Sequence, residues 1–160
     1  MKTLVAYYSL KGHTKFVAET IANELGADLY EIKPQKKYSM LTALMASKSQ
    51  IKKSVSPPIE EPNIEMNKYQ EIIIGTPVWW GSFAPPVRSF VRKQDLSRKP
   101  VKLFCTYANN KGSAIENLKN FIGDRNIKST KEFKIGGKGA KSLANDSNLD
   151  KEIRNWVKRK

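Results

Sequence analysis

Cysteine and histidine are almost missing from this chain: each occurs once, as Cys105 and His13. A lone cysteine closes no intramolecular disulfide, which points to a reducing, cytoplasmic setting, and a lone histidine excludes a His-rich metal centre. Cys105 lies in the apolar run VKLFCTY and reads as a small buried hydrophobe rather than a reactive thiol. Carboxylates are scarce: 15 Asp and Glu stand against 29 Lys and Arg, for a formal net charge of +14. No segment approaches the ~18 consecutive apolar residues that a membrane span needs. The N-terminal MKTLVAYYS lacks the apolar length and small-residue cleavage site of a signal peptide and reads as a strand. Internal repeats and low-complexity stretches are also absent.

What remains suits one domain over residues 1–160. A chain of this length buries roughly 70% of its unfolded surface and needs neither disulfide nor structural metal to fold. The positive field attracts acidic partners, polyanions or anionic membranes. The lysines are spread along the whole chain, which fits a solvated basic surface better than a dedicated nucleic-acid site.

Strand and helix signals alternate five times. Thr3–Tyr8 is a continuous apolar run, and Val17, Ile21 and Leu25 then recur at helical spacing until Gly26. Ala27–Ile32 alternates like a strand, and Met40–Ile51 carries Leu41, Leu44 and Met45 at helical spacing. Three prolines make Ser54–Asn63 a loop. Glu71–Gly75 is a buried strand, Pro86–Lys93 a short helix, Val101–Tyr107 a strand and Gly112–Ile122 a helix. Phe133–Ile135 is a short fifth strand, and Leu149, Ile153, Trp156 and Val157 mark the last helix. Such alternation predicts an α/β fold: a doubly wound, five-stranded parallel sheet with helices on both faces. Ligands of such sheets bind beyond the carboxyl ends of the strands.

Three loops fall there. The first, Ser9–Thr14 (SLKGHT), joins a strand to a helix N-terminus, where open amides and the macrodipole favour an anion. Ser9 and Thr14 offer hydroxyls, Gly12 a close backbone approach, and Lys11 and His13 charge or hydrogen bonds. The spacing fits neither GxxxxGK[ST] nor GxGxxG, and an ordinary turn capped by Ser9 or Thr14 is the competing explanation. The second loop, TPVWWGSFAPP, sets Trp79 and Trp80 between Pro77 and Gly81, a poor context for core tryptophans and a good one for stacking on a planar ligand. A loop packing on its own domain is the alternative. The third, TYANNKGS, brings Thr106, Tyr107, Asn109 and Gly112, which equally suit a plain turn. Taken together, the loops match a planar ring system on a phosphorylated tail. No loop offers a pair of groups for acid–base or nucleophilic catalysis.

The segments AYYSLKGHT, IIIGTPVWWGSFAPPVRSF and FCTYANNKGS resemble the three flavin mononucleotide (FMN) loops of flavodoxins, in the right order along nearly the whole chain. The resemblance implies strand order 2-1-3-4-5, in the short-chain form. It implies that Ser9, Lys11, Gly12, His13 and Thr14 surround the FMN phosphate. Thr76, Pro77, Val78, Trp79, Trp80 and Gly81 would form the second loop, with Trp80 the first candidate to stack on the flavin and Trp79 the next. Thr106, Tyr107, Asn109 and Gly112 would lie near the ring, with Tyr107 covering its other face. His13 stands where the family commonly has asparagine, and the third loop lacks the acidic residues usual there. The implied function is electron transfer between redox partners; the strongly basic surface implies acidic ones and is expected to make a bound flavin easier to reduce. An NAD(P)H-dependent quinone or flavin reductase on the same fold is the alternative, though the tryptophan pair leaves little room for a nicotinamide. A basic binding module without flavin is the third, and a colourless protein that takes up no FMN would favour it.

Overall fold

Three apolar runs become the middle of a parallel sheet: β1 (Thr3–Tyr7), β3 (Glu71–Trp79) and β5 (Val101–Tyr107). The computed structural model describes residues 1–158, so the last two residues of the expected domain, Arg159 and Lys160, lie outside the described residues. The edges are β2 (Asp28–Glu31) beside β1 and β6 (Ile127–Lys134) beside β5, both parallel to their neighbours. A two-residue strand, β4 (Ser82–Phe83), folds back antiparallel on the end of β3. Counting β4, the sheet has six strands and the parallel ones run 2-1-3-5-6; without it they stand in the expected order.

Side-chain alternation divides the core into two layers. Leu4, Ala6, Ile72, Ile74, Leu103 and Cys105 pack against Val87 and Phe90 of α3 (Pro85–Lys93) and Leu118 of α4 (Ala114–Ile122). On the opposite face, Val5, Tyr7, Ile73 and Phe104 meet Val17 and Ile21 of α1 (His13–Leu25), Leu143 of α5 (Ala140–Ala144), and Ile153 and Trp156 of α6 (Ser147–Lys158). Burying each large side chain of this kind contributes about 1.5–3 kcal/mol. The fit is tight at Gly75, where a Cβ would stand 2.2 Å from Cζ of Phe104. At the amino end of the strands, Glu71 and Lys102 form a buried ion pair 3.4 Å apart, and Lys102 Nζ also donates to the Val157 carbonyl.

Beyond β3 running on to Trp79 instead of ending at Gly75, and the additional β4 and α5, two elements differ from expectation. The fifth parallel strand is eight residues long rather than three. Its first part, Ile127–Glu132, is polar because an edge strand is half solvated, and charged edges resist pairing with other chains. The second is α2 (Met40–Lys52), which begins at a reciprocal cap: the Thr42 amide donates to Ser39 Oγ, and the Ser39 amide to Thr42 Oγ1. This helix buries Ala43 and Ser47 and turns Leu41, Leu44 and Met45 to solvent.

Candidate functional site

A cavity of about 630 Å³ opens at the carboxyl ends of the parallel strands. One wall is the turn between β1 and α1. Gly12 takes the left-handed conformation, with φ of 91°, and its amide donates to Ser9 Oγ at 3.1 Å. No side chain caps α1, and its first turn holds no carboxylate. The alternative explanation of SLKGHT as a side-chain-capped turn is therefore not what forms. Ser9 shapes the loop, while Thr14, fully buried, shares a 2.8 Å hydrogen bond with Thr106 at the carboxyl end of β5. That bond ties the first loop to the third and leaves the leading amides of a 13-residue helix open.

The second wall is the β3–β4 hairpin. Its two central residues are Trp80 and Gly81, with φ of 50° and 71°. Positive φ at both positions is what a two-residue type I′ hairpin demands, and Asn-Gly is its usual occupant. Forcing a tryptophan into the left-handed region costs of order 1–3 kcal/mol. The two indoles have different surroundings. Trp79 is part-buried, edge-on to Tyr8 and Tyr38 at centroid distances of 5.4 and 5.2 Å. Burial, then the neighbouring Tyr38 and Glu31, raises the pKa of Tyr8, so this aromatic group stays neutral. Trp80 is 50% exposed; its indole N–H donates to Ser47 Oγ at 3.1 Å, and Lys48 Nζ lies 4.8 Å from the ring centroid.

Ten residues singled out in the sequence line the cavity together: Ser9, Lys11, His13 and Thr14; Pro77, Val78, Trp79 and Trp80; Thr106 and Tyr107. Five stand outside the lining. Gly12 and Thr76 shape their loops, Thr76 Oγ1 donating to the Pro77 carbonyl and accepting from the Ala84 amide. Gly81 and Gly112 meet backbone to backbone, joined by the Ser113 amide donating to the Gly81 carbonyl at 2.8 Å. Asn109 is exposed. Sequence reasoning missed Leu10 and Ala108, the α2 residues Met40, Ala43 and Leu44, and a fourth wall, Ile135–Gly139, beyond β6. The signal for that wall was present: three glycines among Gly136–Gly139, just past the carboxyl end of a strand.

The chemistry on offer is binding. Burial pushes the Cys105 thiol up to about 12, so it remains protonated beneath the sheet. Among the described residues, no group of three or more His, Cys, Asp or Glu is arranged to hold a metal ion. Nor is any helix among them long and apolar enough to cross a membrane.

An uncapped helix N-terminus, an indole wall and a cavity thus lie together beyond the carboxyl ends of the parallel strands, the arrangement of a doubly wound α/β protein with a crevice at its strand ends. A flavodoxin family model matches residues 2–160, and the protein belongs to that family. Among solved structures, a flavoprotein of Lactobacillus acidophilus NCFM, crystallised in complex with FMN, is 26% identical with a TM-score of 0.74, over 92% of this chain and 98% of that one. A protein of Bacteroides uniformis ATCC 8492 is 26% identical with a TM-score of 0.79, over 99% and 98% of the two chains. Oxidised flavodoxin 2 of Bacillus cereus, at 16% identity and a TM-score of 0.61 over 98% and 95%, shares the fold.

Proposed function

We propose that this protein binds FMN in the cavity and carries electrons between redox proteins in the cytoplasm. The observation that supports this most is the joint placement of an uncapped α1 N-terminus and an exposed Trp80 on walls of one cavity. The residues present fit the cofactor. A phosphate dianion needs open amides and nearby positive charge, and α1 offers both, with Lys11 and His13 on the same wall. A flat apolar ring needs an aromatic face, and Trp80 supplies one at the cost of backbone strain.

FMN, when bound, supplies reversible electron uptake; the protein supplies position. The Ser9–Gly12 hydrogen bond holds the first loop in its turn, and the Thr14–Thr106 bond fixes that turn against the third loop. Ser47 holds the Trp80 indole, and Tyr107 lines the wall beyond it. Lys11 on the cavity lining and Lys48 over the Trp80 ring, within a chain of net charge +14, offer a field that favours acidic partners. The test is reconstitution. The purified protein should take up one FMN per chain, exchange electrons with an iron–sulfur protein, and leave NADPH unoxidised in the presence of a quinone. Steady NADPH oxidation would instead make it a reductase, and failure to take up FMN would end both readings.

A further inference from the structure

We propose that the exposed face of α2 is the docking surface for a partner protein whose apolar centre is ringed by carboxylates. The inference rests on the electron-carrier reading and names where the partner sits.

Most of the large exposed apolar side chains gather in one place. Leu41 is 65% exposed and Met45 71%, and Met40, Leu44 and Trp80 are each half exposed beside them. Trp80 is tied to this helix by Ser47, and Met40 and Leu44 also line the cavity, so the patch runs to the cavity mouth. Exposed apolar patches of this kind mark interaction sites.

Charge defines the occupant. Between Glu31 and Glu60 the sequence has six lysines and no Asp or Glu. All six are exposed, and α3, which touches α2, carries Arg88 and Arg92 without a carboxylate of its own, while its Lys93 is answered by Glu61 at 2.6 Å. Elsewhere many lysines are answered within the chain: Lys111 by Glu132 and Lys131 by Glu152, each at 2.6 Å. None of the six forms an ion pair among the described residues. The missing carboxylates are the ones a partner would bring.

The arrangement favours a protein over a lipid surface. An interfacial helix separates an apolar face from a basic one. Here Leu44, Lys48 and Lys52 follow one another at intervals of four residues, with Leu41 and Met45 alongside, so apolar and cationic groups share one stripe. A second copy of this chain is also a poor fit, because symmetric pairing would set lysine against lysine.

The test titrates the FMN-loaded protein calorimetrically, at low salt, with an oxidised plant-type [2Fe–2S] ferredoxin as the acidic probe. Lys36→Glu/Lys52→Glu and, separately, Leu41→Ser/Met45→Ser should each weaken binding about tenfold or more, whereas Lys128→Glu/Lys151→Glu, an equal charge change on β6 and α6, should weaken it less than about threefold. Circular dichroism confirms that each variant is folded. Equal loss in the control pair, or no loss in either α2 pair, overturns the proposal. So does co-sedimentation of the wild type with phosphatidylglycerol–phosphatidylcholine vesicles in the absence of ferredoxin binding. A dimer in sedimentation velocity that Leu41→Ser/Met45→Ser dissolves also overturns it. Flavin absorbance, read before each titration, keeps the two claims separate. Protein that takes up no FMN refutes the carrier reading and with it this proposal, whereas full FMN content with unaffected α2 variants refutes the docking surface alone.

Discussion

Trp156 and Trp80 live in opposite surroundings within the same chain. Trp156 is buried, edge-on to Phe104 and Phe133 at centroid distances of 6.2 and 5.9 Å, where α6 closes over the sheet. Trp80 stands half exposed on a strained hairpin, held by one hydrogen bond and a lysine. The first indole is where burial puts it. The second is where burial and backbone preference would both avoid putting it, and strain that persists in a fold concentrates at functional sites. The buried apolar side chains are concentrated at the sheet and the proposed binding site at its carboxyl rim, so the two should be separable by mutation.

The largest expected effect is on the buried side. Trp156→Ala should lower stability by about 3–5 kcal/mol in urea unfolding, as for other large buried aromatics, while the protein that remains folded keeps its FMN affinity. Gly75→Ala follows: a methyl driven into Phe104 should cost about 1–3 kcal/mol, read from the same unfolding curves. Equal FMN losses in Trp156→Ala and Trp80→Ala would break the comparison outright. Trp80→Asn sharpens it, since asparagine suits the positive φ of the hairpin. FMN affinity should fall about tenfold or more by fluorescence titration, with no loss of stability in the flavin-free protein.

The smallest effect is acid sensitivity where α1 meets α6. Hydrogen bonds from Lys158 and Arg154 hold the Glu24 carboxyl below its ordinary value of 4.5. Lys138 does the same for Asp146, whose ordinary value is 3.8. A carboxyl with a lowered folded-state pKa stabilises the fold above its ordinary value, and that contribution is lost as pH falls through the folded value. Unfolding midpoints should thus be level at neutral pH and decline below about pH 4.5. Glu24→Gln should flatten that decline.

Much of the fold could be read from the sequence because its central strands are apolar without interruption, as in VKLFCTY, and its helices carry a clear apolar period, as in Leu149, Ile153, Trp156 and Val157. The parts that could not be read share a cause: they are half solvated. The first part of β6 alternates weakly and carries lysines, so only its buried end at Phe133 registered. In α2 the periodic residues point to solvent and small ones pack, the reverse of what periodicity assumes. At the site, the loops after β1, β3 and β5 were legible from position and residue type. The wall at Ile135–Gly139 was not, because glycines carry no side chain to suggest a role and only their place just past a strand's carboxyl end marks them.

The central claim is that a phosphate sits at the open end of α1 while a ring lies along the Trp80 wall. Parallel titrations with FMN and riboflavin, which differ only in the phosphate, test it most directly. FMN should bind about a hundredfold tighter or more, the worth of one or two charge-assisted hydrogen bonds, and the gap should narrow as salt is raised. Equal affinities for the two ligands would contradict the account.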